Sequence, residues 1–291
     1  MIQQLISLHI LNIISFIESV DLATKIITMV NLKCIFSYLG TYFHGSAEQV
    51  GIPIEIVPTV VGKIREVIEM VTQSKVRINL AGRTDRGVHA RAQVANFFVD
   101  ESVDQSSLFR TLNARLSPQI TFHSLEKVDD DFHARFSAKA RTYRYYIYNG
   151  ENPHPFYSDF TWHIYNNLNF KNMVLAAKHF VGEHDFTTFC RTNTDVKHNI
   201  RKVVNAELSI VDKDLFSICD VSRKETRLIC FEIKANAFCW QMVRSIMGTL
   251  VDVGRDKVNP DDIPAMIKAK DRSITKQLAL PHGLTLFSIE Y

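Results

Sequence analysis

The stretch VRINLAGRTDRGVHARAQVANFFV, residues 76–99, reads as strand, loop, strand. Val76, Ile78 and Leu80 alternate with Arg77 and Asn79, the period of a strand buried on one face. QVANFFV (93–99) is the returning strand. Between them Gly82 and Gly87 bracket a loop in which one acid, Asp85, stands between Arg83 and Arg86. Loops held between strands often carry functional side chains, so this acid among arginines is the first candidate for chemistry.

The rest of the chain supplies the elements around it. KCIFSY (33–38) is strand-like and runs into a turn at Gly40. Pro58 and Thr59 open a helix whose apolar positions, Val60, Val61, Ile64, Val67, Ile68 and Val71, follow the helical period. Leu108, Phe109, Leu112 and Leu116 mark another helix. TYRYYIY (142–148) is a strand with Tyr143, Tyr145 and Ile147 on one face. After Asn149-Gly150 comes a proline-rich linker, ENPHPFYS, and then the same mixture again. A helix is expected near 171–181 with Gly182 as its stop, strands near 203–210 and 227–235, and a helix over FCWQMVRSIMGTLVDVG (238–254) that packs Val243, Ile246, Met247 and Leu250 inward. Asn259-Pro260 caps and starts a further helix, and LTLFSIEY closes as a strand. The expected class is α+β with antiparallel neighbours. The expected division is an N-terminal extension (1–30), an N-terminal half carrying Asp85 (31–150) and a C-terminal half (151–291).

A chain of 291 residues with 46% hydrophobic content can bury one large core or two small ones, and 22% charged residues argues against wholesale disorder. The formal net charge of +3 does not announce a nucleic-acid binder. Its distribution says more. Lys75, Arg77, Arg83, Arg86 and Arg91 face Asp85 alone between Lys75 and Ala95, and HARFSAKARTYR (133–144) holds Arg135, Lys139, Arg141 and Arg144 with no acid. Cations interleaved with Tyr and Phe suit phosphate contact and base stacking; a solvated basic surface is the plainer reading. Arg83, Arg86, His89, Arg135 and Arg141 are the candidate substrate contacts.

Cys34, Cys190, Cys219, Cys230 and Cys239 are irregularly spaced and form no CxxC pair, which fits free thiols in a reducing compartment rather than structural zinc. The eleven histidines show no metal spacing, and no phosphate-binding glycine motif is present, so neither a metal nor a cofactor is expected. MIQQLISLHILNIISFI (1–17) lacks charge but is interrupted by Gln, Ser, His and Asn. It is too short and polar for a membrane span, and lacks the basic residues of a secretory or mitochondrial leader. It reads as a dispensable extension or a start codon placed too early, ahead of a degenerate organelle signal and a membrane anchor.

Three residues stand out chemically. A carboxylate beside fixed guanidinium groups keeps its ionised form, so Asp85 suits a nucleophile or base; a turn Asp paired with Arg83 is the structural alternative. Tyr143, between Arg141 and Arg144, can stack on a base, move a proton, or merely fill the core. Arg244 lies in an otherwise apolar helix and needs an anionic partner if buried, for which Asp85 is the candidate; otherwise it snorkels at the helix edge.

AGRTDRGVHARAQVANF (81–97), LNARLSPQI (112–120), DFHARFSAKARTYRYYIYN (131–149), VGEHDFTTF (181–189), IKANAFCWQMVRSIMGTLVDVG (233–254) and LPHGLTL (280–286) together resemble the tRNA pseudouridine synthase A (TruA) family. The resemblance runs in order from about Leu32 to Tyr291, and YLGTYFHGSAEQ (38–49) looks closer to its eukaryotic tRNA pseudouridine synthase-like branch. It implies two related ferredoxin-like halves with mainly antiparallel sheets flanking a basic cleft. It also implies conversion of uridine to pseudouridine, typically in the tRNA anticodon stem-loop, with no cofactor or metal. Bacterial members are homodimers. By resemblance Asp85 is the nucleophile, Tyr143 lies against the target base and is a candidate for C5 proton removal, and Arg244 pairs with Asp85. Two positions depart from the pattern. Arg86 stands where most members have Ala, and Gly45-Ser46-Ala47 replaces the Gly-Trp-Gln of bacterial members.

The expected partner is RNA, tRNA first and mRNA second, in cytosol or mitochondrion, with no membrane association. The rival of another class is an RNA-binding protein or RNA chaperone that keeps the cleft and has lost turnover, the direction in which Arg86 points. A carboxylate-dependent hydrolase would need a second acid at defined spacing, and the motif supplies one acid only.

Overall fold

The computed structural model describes residues 28–48, 56–191, 198–211 and 226–291. The stretch 1–27 and Cys219 lie outside them.

The first half alternates β1 (Met29–Tyr38), α1 (Val60–Thr72), a short β2 (Asn79–Leu80), β3 (His89–Asp100), α2 (Gln105–Leu116) and β4 (Ile120–Val128). The second alternates β5 (Ala140–Asn149), β6 (Trp162–Ile164), α3 (Phe170–Lys178), β7 (Gly182–Asp185), β8 (Ile200–Ile210), β9 (Arg227–Ala235), α4 (Met242–Gly254), α5 (Ile263–Ala269) and β10 (Leu284–Glu290). The strands form one mixed, mostly antiparallel sheet in the order β4-β1-β3-β10-β5-β9-β8-β7, with β2 on β3 and β6 on β5. One plan recurs. In β1-α1-β3-α2-β4 the first strand sits between the last two, and in β5-α3-β9-α4-β10 it does so again. The class is α+β, as expected.

Alternation builds the core. Leu32, Cys34, Phe36 and Tyr38 of β1 are buried with Ile64 and Ile68 of α1 and Leu108 and Leu112 of α2. Tyr143, Tyr145 and Ile147 of β5 join the same core, which is continuous with Ile246, Met247 and Leu250 of α4. The predicted faces of both elements are therefore the buried ones.

The halves meet where β3 runs parallel to β10, at His89↔Thr285 and Ala90↔Leu286. Parallel strands begin at the same edge, so the segments entering them, 81–88 and 277–283, lie side by side. The chain crosses between halves ahead of β5, because β5 pairs with β9 and β10; the Asn149-Gly150 turn comes after the crossing.

Three local expectations shift. VRINL is a strand only at Asn79–Leu80, because the Val76 N–H donates to the Glu69 carboxylate at the end of α1 (3.1 Å). The helix near 171–181 ends at Lys178, and Gly182 opens β7. The helix read over 238–254 begins at Met242, because Gln241 adopts a left-handed conformation, φ 64°. Asn259 caps as expected, accepting from the Asp261 N–H ahead of α5. Among the described residues no helix is long and apolar enough to cross a membrane.

Candidate active site

The loop from Ala81 to Val88 is held from three sides. The Ala81 N–H donates to Val94 O, and Gln93 Nε2 donates to Gly82 O (2.8 Å). Thr84 is clasped by Ser46 and β1: its N–H donates to Ser46 Oγ (2.8 Å), its carbonyl accepts from the Ser46 N–H, and its hydroxyl bonds the hydroxyl of Tyr38 at the end of β1 (2.7 Å). Gly40 lets this segment close on the loop, since a Cβ there would lie 2.1 Å from Val88 O. A turn with Val88 N–H donating to Asp85 O then fixes the backbone of the acid. Ser46, in the region where bacterial members of the resembled family carry Gly-Trp-Gln, is spent on holding Thr84.

Asp85 aims its side chain at the other half of the molecule. Oδ2 accepts from Arg244 Nη1 at 2.8 Å and Oδ1 accepts from the indole Nε1–H of Trp240 at 2.8 Å. The carboxylate keeps 24% exposure and the Arg244 side chain 12%. Arg244 is itself fastened, its Nε donating to Ala279 O (2.9 Å) and its backbone carbonyl accepting from the Ala279 N–H. Gly248, one turn on, brings α4 against the 277–279 segment: a Cβ there would meet Gln277 O at 2.1 Å. A guanidinium so confined costs no further ordering when it pairs, which distinguishes this ion pair from weak surface bridges.

Tyr143 is buried on β5, its hydroxyl 3.8 Å from where a Cβ on Gly82 would sit and its ring edge-on to Phe238 at 5.0 Å. Burial pushes its phenol well above the ordinary tyrosine range; nearby Tyr38 and, less, Asp85 push the same way, against Arg141. At neutral pH it is an uncharged hydroxyl. An anchored carboxylate, a half-buried guanidinium and a neutral phenol thus meet at the joint of the two halves. No cluster of three His, Cys, Asp or Glu side chains among the described residues is placed to hold a metal.

A family profile described as tRNA pseudouridine synthase matches residues 34–137 and 176–291. The chain belongs to the tRNA pseudouridine synthase family. The tRNA pseudouridine synthase A of Acetivibrio thermocellus is 35% identical over 263 residues, covering 90% of this chain and all of that protein. That of Bacillus subtilis is 36% identical over 262 residues, covering 89% and 98%. Among solved structures, a Cbf5-Nop10-Gar1 complex aligns over 75% of this chain and 54% of the matched chain with 14% identity and a TM-score of 0.30.

Of the residues singled out in the sequence, Asp85, Tyr143 and Arg244 are brought together, whereas the candidate substrate contacts divide. Arg83 and Arg86 are exposed on either side of Asp85. Arg135 is exposed, its guanidinium 5.6 Å from the Phe136 ring. Arg141 and His89 are instead buried. The Arg141 guanidinium is buried and donates to four backbone carbonyls, those of Ala81, Arg135, Ala138 and Asn236. It ties the Asp85 loop to β5 and the end of β9, its two Nη groups both committed to those carbonyls. His89 is buried too. Its Nδ1 accepts from the Gly40 N–H (3.1 Å), which leaves the proton on Nε2 to donate to Asp159 O (2.9 Å).

Burial holds His89 below the ordinary imidazole value of 6.5, and the same cause acts on His282. A base whose folded pKa is depressed binds fewer protons folded than unfolded, so its contribution is intact above 6.5 and lost as pH falls toward the folded value. Urea midpoints are therefore expected to fall between pH 7.5 and 5.5, and to fall less in a His89→Gln protein. Equal losses in both proteins would place this pH dependence elsewhere.

Two residues of the site carry no assignment from the sequence. Trp240 bonds Asp85, and the Arg191 guanidinium lies 4.2 Å from the centroid of the Trp240 ring while the Arg191 N–H donates to Trp240 O. Helical spacing could not have found Trp240, because α4 begins at Met242 and the left-handed Gln241 takes Trp240 out of the helical path.

Proposed function

We propose that this protein isomerises uridine to pseudouridine in tRNA. The observation that carries it is the Asp85 carboxylate, fixed by Arg244 across the joint yet 24% exposed, with the neutral Tyr143 phenol behind the loop. A uridine in a folded stem-loop must leave its stack to reach that carboxylate, at a cost of a few kcal/mol. Arg83, Arg86 and Arg135, exposed around the loop, offer the phosphate contacts that offset it. Asp85 then attacks C1′ of the ribose or C6 of the uracil. The N1–C1′ bond breaks, the base turns in place, C5 bonds to C1′, the bond to the Asp85 oxygen breaks to return the carboxylate, and the C5 proton leaves to a base or to water while N1 gains one. Tyr143, as a neutral hydroxyl beside the base, orients it and relays that proton.

The relatives are named for tRNA, which favours tRNA over mRNA as substrate. A homodimer, as the resemblance implies for bacterial members, is the assembly to test by light scattering. The deciding experiment mixes the protein with a tRNA transcript labelled with tritium at uridine C5. Time-dependent release of tritium to water, with pseudouridine found by nuclease digestion and chromatography, is the expected result. Tight RNA binding without release would overturn the proposal in favour of an RNA chaperone.

A further inference from the structure

Resting on that reading of Asp85, we infer that Trp240 is a positioning residue for the carboxylate, one that sets the plane in which Asp85 meets the uridine. A carboxylate held by one donor still turns about its last torsion. Here each oxygen has its own donor, Arg244 on Oδ2 and Trp240 on Oδ1, both at 2.8 Å. Two anchors on two atoms fix the plane. A carboxylate has about four acceptor directions, so about two stay open for the reaction.

The placement of the indole is built in. Gln241 takes a left-handed conformation that few non-glycine residues adopt, and this turn sets Trp240 just ahead of α4 rather than inside it. From there the indole reaches the Asp85 oxygen that Arg244 leaves free. The Arg191 N–H to Trp240 O bond pins the backbone, and the Arg191 guanidinium over the ring restricts the side chain. Trp240 nevertheless keeps 43% of its surface exposed, a poor arrangement for a residue whose task is to fill a core. Phe238, two residues earlier, packs on Tyr143. One short turn thus holds both the nucleophile and the phenol.

The test separates the N–H from the ring. Trp240→Phe keeps an aromatic surface and removes the donor. In the tritium-release assay its kcat is expected to fall about tenfold or more while KM stays within about twofold, because a misaimed reacting group slows the step after binding. Trp240→His, which restores a ring N–H, is expected to recover part of the loss. A Trp240→Phe kcat within twofold of wild type, or a raised KM with unchanged kcat, would overturn the inference, the second showing that the ring is only an RNA contact. Should Trp240→Phe fail to fold, a second measurement decides. The chain has two tryptophans, so Trp162→Phe leaves Trp240 as the sole indole. Its emission maximum is expected to shift on adding Asp85→Ala, and no shift sinks the contact. Asp85→Asn is run beside these: if it retains activity the functional reading itself fails, whereas if it is inactive and Trp240→Phe is normal, only the role of Trp240 does.

Discussion

An Asp85→Asn protein is expected to bind tRNA with near wild-type affinity and to release no measurable tritium, a loss of at least about 10⁴-fold. The substitution is nearly isosteric. The amide oxygen still accepts from Arg244 or Trp240, and the loop backbone, held through Thr84, Ser46, Gly82 and Gln93, does not depend on the carboxylate. What disappears is the negative oxygen that forms the bond to the nucleoside. The exposed cations that meet phosphate, Arg83, Arg86 and Arg135, are untouched, so binding and turnover separate. Stability should drop modestly, about 1–3 kcal/mol, since Arg244 loses a charged acceptor while keeping Ala279 O. Filter binding, tritium release and a urea melt on one preparation read all three. Wild-type release from Asp85→Asn would remove Asp85 from the chemistry; loss of binding along with release would mean that the carboxylate organises the cleft.

Much of this was legible in the order of residues. The period-2 pattern of β5 assigned its buried face correctly, because alternation reports which side of a strand meets the core regardless of what pairs with it. The partner of Arg244 was legible for an electrostatic reason: an arginine in an apolar helix must find an anion, and the loop offers Asp85. Other features have no local signature. The parallel contact of β3 with β10 joins residues far apart in the chain, and it is this contact that sets the Asp85 loop beside the Ala279 segment. Helical periodicity ran through Gln241 because the apolar pattern continues there, whereas the backbone turns left-handed. That one dihedral separates Trp240 from the helix and gives it to the site. Arg141 and Arg135 look alike in sequence, both in a basic run free of acids. One is buried among carbonyls and the other faces solvent.

That last contrast yields the second large effect. Arg141→Met is expected to lower the unfolding free energy by about 3–5 kcal/mol, the range for removing one member of a buried charged network. Met matches the length of the arginine stem and fills its volume. The loss is therefore that of the donors, and the carbonyls of Ala81, Arg135, Ala138 and Asn236 lose their bonds, that of Ala81 in a buried setting. Against a typical total of about 5–15 kcal/mol, the urea midpoint should move far with little change in slope. Arg141→Lys should recover only part, because a single ammonium cannot spread over four acceptors as a planar fork does. Arg135→Met, by contrast, should stay within about 0.5 kcal/mol of wild type, as exposed substitutions do, and should weaken tRNA binding with a reduced salt dependence. The two arginines thus trade signatures, one moving the melt and the other moving the affinity. An Arg141→Met protein with an unchanged midpoint and weakened tRNA binding would reverse the assignment, returning Arg141 to the RNA-facing role that its sequence neighbourhood suggested.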